Sequence, residues 1–288
     1  MTDWGEIPLG RQTDYVHEYD AALLAPIPRR LARQVLGEDR PVFYGEDVWN
    51  AYELSWLNPL GTPMMAMAQF SVPCDSEHII ESKSLKLYLN SFAGTRFQGV
   101  DEVQATLVKD LSAAAGQPVA VTVLTLDQAS RFLTQMAAQP DGQCLDTLPV
   151  SCDPPPGEAP SEQVQVDQLT CDTTQQVEGQ QVEAQRVYTH ALRSLCPVTG
   201  QPDWATVIIE YSGAQIELEG LLRYLVSYRY HSGFHEQVVD KVFCDIMRRC
   251  QPQALAVQAL FTRRGGLDIN PWRSSEPGPA PRLRMVRQ

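Results

Sequence analysis

One pattern occurs twice in this chain, and it limits the folds available. Residues 81–92 read Glu-Ser-Lys-Ser-Leu-Lys-Leu-Tyr-Leu-Asn-Ser-Phe, and residues 217–228 read Glu-Leu-Glu-Gly-Leu-Leu-Arg-Tyr-Leu-Val-Ser-Tyr. At an offset of 136, Glu, Leu, Tyr, Leu and Ser recur in register. Phe97 matches Phe234 at an offset of 137, and Asn58-Pro59 matches Cys196-Pro197 at 138. Drift of one or two residues is what loops absorb. A repeat of this length is one folding unit used twice.

The unit follows from periodicity. In the first copy, residues 49–57 and 63–72 read as strands separated by a turn at Asn58-Pro59-Leu60-Gly61. Leu85, Tyr88, Leu89 and Phe92 fall on one helix face. A second helix carries Val103, Leu107 and Leu111, with Asp101 and Glu102 at its positive end. Gly116 stops it, and 119–126 reads as a buried strand. The second copy repeats this as strands 187–195 and 204–211, helices through Leu218–Val226 and through Val238, Val239, Val242 and Ile246, and a strand at 254–261. Each half is β-β-α-α-β, which predicts an α+β fold, an antiparallel sheet with two helices packed on one face. The expected organisation is an N-terminal module over 1–150, a Pro- and Gln-rich linker over 151–184, a C-terminal module over 185–274 and a disordered tail over 275–288, where three prolines and three arginines fall.

The net charge of −12 argues against a broad grip on nucleic acid or an anionic membrane. The acidic N-terminus does not read as a secretory leader, and no apolar run is long enough for a span. Seven cysteines, with no CxxC pair and no histidines at zinc-ligand spacing, point to reduced thiols in a cytoplasmic protein without a metal site.

The two halves differ at groups that carry chemistry. Cys196 aligns with Asn58, and His235-Glu236 align with Gln98-Gly99; Ser82-Lys83 align with Leu218-Glu219. Complementary loss is the pattern of one composite site, although drift of a duplicated unit produces it too. Cys196 and Asp203 lie seven apart across a turn, where a thiol nucleophile and a general acid/base can meet. A buried turn cysteine beside a turn-forming aspartate reads equally well. Phe234-His235-Glu236-Gln237 is half of a zinc-protease motif, but Val239 occupies the second histidine position. At a helix start, His235 and Glu236 can hold a heterocycle with paired N–H donors, or simply be a solvated first turn. Ser82-Lys83 at a helix start and Thr262-Arg263-Arg264-Gly265-Gly266 are candidate phosphate contacts, or solvated charge. No Rossmann or P-loop glycine pattern is present.

Together these strings resemble one family, the NADPH-dependent 7-cyano-7-deazaguanine reductases of queuosine biosynthesis, in their long two-module subclass. The residues that carry the resemblance are 81–92, the turn from Cys196 to Asp203 with Trp204, Phe234 to Gln237, and 262–271. Tyr19-Asp20, Pro26-Ile27-Pro28-Arg29-Arg30 and Tyr52 to Leu57 fit as well. The likeness runs from about residue 8 to about residue 274; the insert near 152–182 and the tail look peculiar to this chain. The resemblance implies tandem tunnelling-fold modules in a homodimer. It implies reduction of a nitrile to a primary amine through a covalent thioimide on Cys196, with Asp203 as general acid/base. Substrate contacts would come from Ile80, Glu81, Ser82, His235 and Glu236, and contacts to the cosubstrate NADPH from Ser82, Lys83, Arg264 and Gly265. Two other readings are a zinc-dependent GTP cyclohydrolase or pterin enzyme, against which the missing Cys/His ligand set argues, and a non-catalytic purine-binding scaffold, against which intact Cys196, Asp203 and Glu236 argue.

Overall fold

The computed structural model describes residues 16–152, 161–171 and 182–288. The expectations for the N-terminal leader, for Pro154 to Gly157 and for the Gln-rich run at 175–181 lie outside them.

In chain order the elements are β1 (Pro26–Pro28), α1 (Arg29–Arg33), β2 (Tyr44–Leu57), β3 (Pro63–Pro73), β4 (His78–Ile80), α2 (Ser82–Ser91), α3 (Val100–Ala115), β5 (Ala120–Thr125), α4 (Leu126–Met136) and β6 (Gln143–Cys144). They continue with β7 (Val182–Leu195), β8 (Pro202–Gly213), α5 (Leu218–Val226), α6 (His235–Cys250), β9 (Ala254–Phe261) and β10 (Leu267–Ser274). Apart from the short pair β1 and β4, the described strands form one sheet in the order β5-β3-β2-β10-β9-β8-β7-β6. Every pairing is antiparallel except β6 with β7. The fold is therefore mixed α and β on a large antiparallel sheet, as the periodicity predicts.

The repeat is visible in detail. Glu81 caps α2 by accepting from the backbone N–H groups of Lys83 and Ser84, and Glu217 caps α5 by accepting from those of Glu219 and Gly220. Tyr88 donates to Asp110 at 2.8 Å, and Tyr224 donates to Asp245 at 2.7 Å. The β2–β3 register slips between Ala51 and Leu54, and the β7–β8 register slips between Thr189 and Leu192. Each half has its own core. One packs Trp49, Ala68 and Phe70 under Leu85, Tyr88, Val103 and Leu107. The other packs Val207, Ile209 and Val257 under Leu221, Leu225, Val239 and Val242.

Strand β10 joins them, and the sequence hides it. Leu267 to Ser274 pair along β2, while only Trp272 to Ser274 also pair with β9. Pro271 argues against a central strand. It is tolerated because the second ladder begins one residue later. A buried charge network spans the same seam. Arg273 contacts Asp47 at 2.8 Å and Asp240 at 2.6 Å; Arg29 completes Asp47 at 2.5 Å, and Arg33 completes Asp240 at 2.7 Å. Such a network fixes the relative register of β2, β10 and α6 more than it adds net stability.

The expected disordered tail is corrected. Residues 275–288 run back over the sheet. Ala280 is buried with Val48 and Trp272, and Met285 with Ile208 and Leu260. The Ala280 backbone and Arg282 donate to Glu46, and the terminal Gln288 donates to Asn270 at 2.7 Å. The prolines that suggest disorder instead keep the segment extended. The strand residues beneath it alternate with those of the two helix-packed cores, so the tail covers the opposite face. Helix α4, also unforeseen, ends against it, with Arg284 N–H donating to the Met136 carbonyl at 3.0 Å. Among the described residues no helix is long and apolar enough to cross a membrane.

Candidate active site

The hairpin of β7 and β8 builds the centre of the site. Strand β7 ends at Leu195, which donates to the His231 carbonyl and accepts from Gly233 N–H, so the strand end is pinned beside the start of α6. Cys196 then opens a turn, accepting from Gly200 N–H and donating to the Gln201 carbonyl, both at 2.9 Å. Gly200 supplies the positive φ of 67° that the reversal needs. Asp203 returns on β8 opposite Ser194. The hairpin thus brings both residues to its end, where their side chains are buried and line one cleft.

Helix α6 presents the next two groups. Phe234 is its N-cap, and the Gln237 amide oxygen accepts from Phe234 N–H at 3.1 Å. That leaves His235 and Glu236 in the first turn. His235 Nε2 lies 3.3 Å from Asp203 Oδ2, and its ring stacks on Phe261 at 3.9 Å. Its Nδ1 is buried without a hydrogen-bond partner among the described residues. Burial raises the Glu236 carboxyl to about 7; Asp47 adds to the rise, while His235 and Arg29 oppose it.

The turn between β9 and β10 closes one side. Arg264 and Leu267 exchange backbone hydrogen bonds around Gly265 and Gly266, whose φ values of 58° and 80° suit a tight reversal. Arg264 reaches Asp203 Oδ1 at 3.2 Å. Asp203 is thus held on one oxygen by His235 and on the other by Arg264. Lys86 of α2 lies against the same turn, because a Cβ on Gly265 would sit 3.2 Å from its Nζ.

The N-terminal half supplies the opposite wall. Strand β4 is held by β1 and delivers Ile79 and Ile80; Ser82 opens α2 immediately after. One cleft is lined by Ile80, Ser82, Cys196, Asp203, His235, Glu236 and Arg264, drawn from both halves. A buried thiol beside a carboxylate, in a pocket with a second carboxylate, suits covalent addition with proton transfer.

Two family models match the chain. One is described as nitrile reductase, 7-cyano-7-deazaguanine-reductase N-term, over residues 15–123; the other as QueF-like protein, over residues 202–279. A protein of Dechloromonas aromatica named NADPH-dependent 7-cyano-7-deazaguanine reductase is 48% identical over 98% of this chain and 95% of its own. Proteins of the same name from Stenotrophomonas maltophilia and Desulfotalea psychrophila are 49% and 46% identical, covering 97% and 98% of this chain and 97% of their own lengths. The chain belongs to the 7-cyano-7-deazaguanine reductase family. A match over 98% leaves about six residues outside, so the likeness to these reductases runs into the fourteen-residue tail, which is not peculiar to this chain.

The remaining expected site residues sit at the margin of this cleft. The Glu81 carboxylate faces its own helix, bonded to Lys83 N–H at 2.8 Å and Ser84 N–H at 2.7 Å, and does not line the cleft. Lys83 and Gly265 do not line it either. Sequence reasoning assigned no role to Trp49, Ile79, Pro197, Phe234 or Ile269, all of which line the cleft. Trp49 and Ile269 are register partners across β2 and β10, so they meet only because β10 is there.

Proposed function

We propose that this chain reduces the nitrile of 7-cyano-7-deazaguanine to the primary amine, 7-aminomethyl-7-deazaguanine, with NADPH as reductant, in the queuosine pathway. The observation that carries this reading is the buried meeting of Cys196 with Asp203 in a cleft shared by both halves. The identity of about half the residues with reductases of that name, over nearly the whole chain, supports it.

In this reading Cys196 Sγ bonds to the nitrile carbon while the nitrogen gains a proton, giving a thioimide; no atom is expelled. Asp203 takes the Cys196 thiol proton and passes it to the substrate nitrogen, steered by His235 and Arg264 on its two oxygens. The Cys196 sulfur leaves again when the carbon becomes tetrahedral. Glu236, with His235, accepts the N–H edge of the deazaguanine; Ile80 and Ser82 face it from the other half. Glu81 acts by holding the start of α2 rather than through a carboxylate contact. NADPH supplies the hydrides, two for each nitrile. Arg264 beside the positive-φ Gly265, with Lys86 at the same turn and Ser82-Lys83 at the start of α2, fits an anionic dinucleotide despite the overall negative charge. We further read the halves over 1–150 and 185–274 as tandem tunnelling-fold modules, and the working unit as a cytoplasmic homodimer without nucleic-acid or membrane contacts.

The test is stoichiometry. Purified protein is expected to oxidise two NADPH per nitrile consumed, with no added metal. Activity lost to a chelator and restored by zinc would contradict the reading.

Glu236 yields a second expectation. Its carboxyl is raised to about 7, from about 4.3 in an unfolded chain. Between those values the folded state holds the extra proton, so this group's contribution to stability is present below about 4.3 and is lost as pH rises through about 7. Substrate affinity should run the opposite way. Only the carboxylate accepts two N–H donors, so binding should release a proton below about pH 7, tighten as pH rises towards that value and level off above it. Glu236→Ala should weaken substrate binding by about 10–150-fold, the equivalent of a charge-assisted hydrogen bond. NADPH affinity should barely change. Calorimetric titrations in buffers of different ionisation enthalpy check both; equal loss for the two ligands would remove Glu236 from the deazaguanine site.

A further inference from the structure

The mechanism uses one of the seven cysteines. Two others meet at the opposite end of α6. Cys171 closes the segment 161–171, and Cys250 is the last residue of α6. Cys171 Sγ lies 3.6 Å from the Cys250 carbonyl oxygen, and each thiol shifts the proton affinity of the other, Cys171 raising Cys250 and Cys250 lowering Cys171. Nothing about their sequence positions, 79 apart, announces the pair.

The segment that carries Cys171 is docked by specific contacts. Leu169 is buried in the C-terminal core. The Thr170 carbonyl accepts from Glu217 N–H at 3.0 Å, at the cap of α5. Cys171 bridges Ile216, and the Gln168 carbonyl sits where a side chain on Gly220 would clash. These contacts fix the segment at the start of α5, and Arg249, next to Cys250, donates to the Leu169 carbonyl at 3.5 Å and ties it to the end of α6. Cys171 is half-buried, the more accessible of the two to a small reagent, whereas Cys250 is buried.

We propose that Cys171 and Cys250 form a redox-active pair that closes to a disulfide, stapling the segment 161–171 to the end of α6. The oxidant is a small-molecule disulfide. Cys171 exchanges with it first, forming a mixed disulfide and releasing one small thiol. Cys250 Sγ then attacks Cys171 Sγ, the protein disulfide forms, and the second small thiol leaves. Two protein thiols are oxidised and one small disulfide is reduced to two thiols, so electrons and protons balance. Burial pushes both thiols above the usual range, Cys250 the more strongly. Exchange is accordingly slow at neutral pH and faster in mild alkali. Cys196 is not involved: the first turn of α6, which meets Asp203, lies about 22 Å along the helix from Cys250.

The test treats the full chain with oxidised glutathione in mild alkali, then denatures it and alkylates every free thiol. Alkylated thiols are expected to fall by two from seven. Peptide mapping should show a 171–250 link, and the melting temperature should rise by about 4–10 °C. Dithiothreitol should reverse all three. Cys171→Ser, at a half-buried position that tolerates a hydroxyl, should give neither link nor rise. Seven alkylated thiols, a stable glutathione adduct without closure, or a link to another cysteine such as Cys152 would overturn the pair. A 171–250 link without a higher melting temperature would overturn the staple.

Discussion

Cys196→Ala is expected to abolish turnover and covalent labelling together. Incubated with 7-cyano-7-deazaguanine and no NADPH, the native chain should gain the full mass of the nitrile, because thiol addition expels nothing. Peptide mapping should put that mass on Cys196 alone. Position, rather than thiol abundance, decides this. Cys74, Cys244 and Cys250 are as buried as Cys196. Burial raises all three of those thiols, Cys244 to about 12. None of them lines the cleft that holds Asp203. Alanine leaves a small gap at a turn whose backbone bonds to Gly200 and Gln201 remain, so the fold should persist. Circular dichroism and substrate binding then separate loss of chemistry from loss of structure. An adduct on another cysteine, or turnover by the alanine variant, would end the case for this nucleophile.

The second large effect is at Asp203. Asp203→Asn keeps the shape of the side chain and a carbonyl oxygen for Arg264, but cannot give and recover a proton. Adduct formation should slow by about 10²–10⁴-fold, the range of general acid–base assistance. Binding of the deazaguanine should change far less, since Glu236 rather than Asp203 accepts its N–H edge in our reading. A single-turnover rate measured by mass, beside an equilibrium titration, separates the two. A variant that labels at the native rate would make Asp203 a positioning residue only. An intermediate outcome, in which Arg264→Ala slows labelling as much as Asp203→Asn, would show that the 3.2 Å ion pair matters as much as the carboxyl it holds.

Much of the architecture lay in local pattern. The helix faces of α2 and α5 are set by Leu, Tyr and Leu at helical spacing, and the same residues are buried in the two cores. Gly116 ends α3 in the left-handed conformation its position suggests. Helix α4 was readable too, since Thr125 and Gln128 form a capping box at its start. Its face carries few buried residues, so periodicity alone passed over it. The halves also advertised a composite site by complementary loss: the thiol and the His-Glu pair in one copy, the Ser-Lys pair in the other.

Long-range placement is another matter. That Cys196 and Asp203 line the same cleft is nearly a local fact, because the hairpin end brings Asp203 back opposite Ser194, two residues before Cys196. That Ile80 and Ser82 face them is not, because no local signal relates the start of α2 to the start of α6. It depends on β10, which lies between β2 and β9 and whose Pro271 disguises it as a loop. It depends also on Arg273, which reaches Asp47 in one half and Asp240 in the other. The tail makes the same point: its prolines and arginines read as solvated chain until the face of the sheet that buries Ala280 and Met285 is known. Periodicity, caps and turns are decided by neighbours within a few residues, so the chain alone determined the two β-β-α-α-β units. Which surfaces those units share, and so where the cleft forms, is decided by burial and charge pairing between residues some 200 apart, and only the tertiary structure brings them into contact.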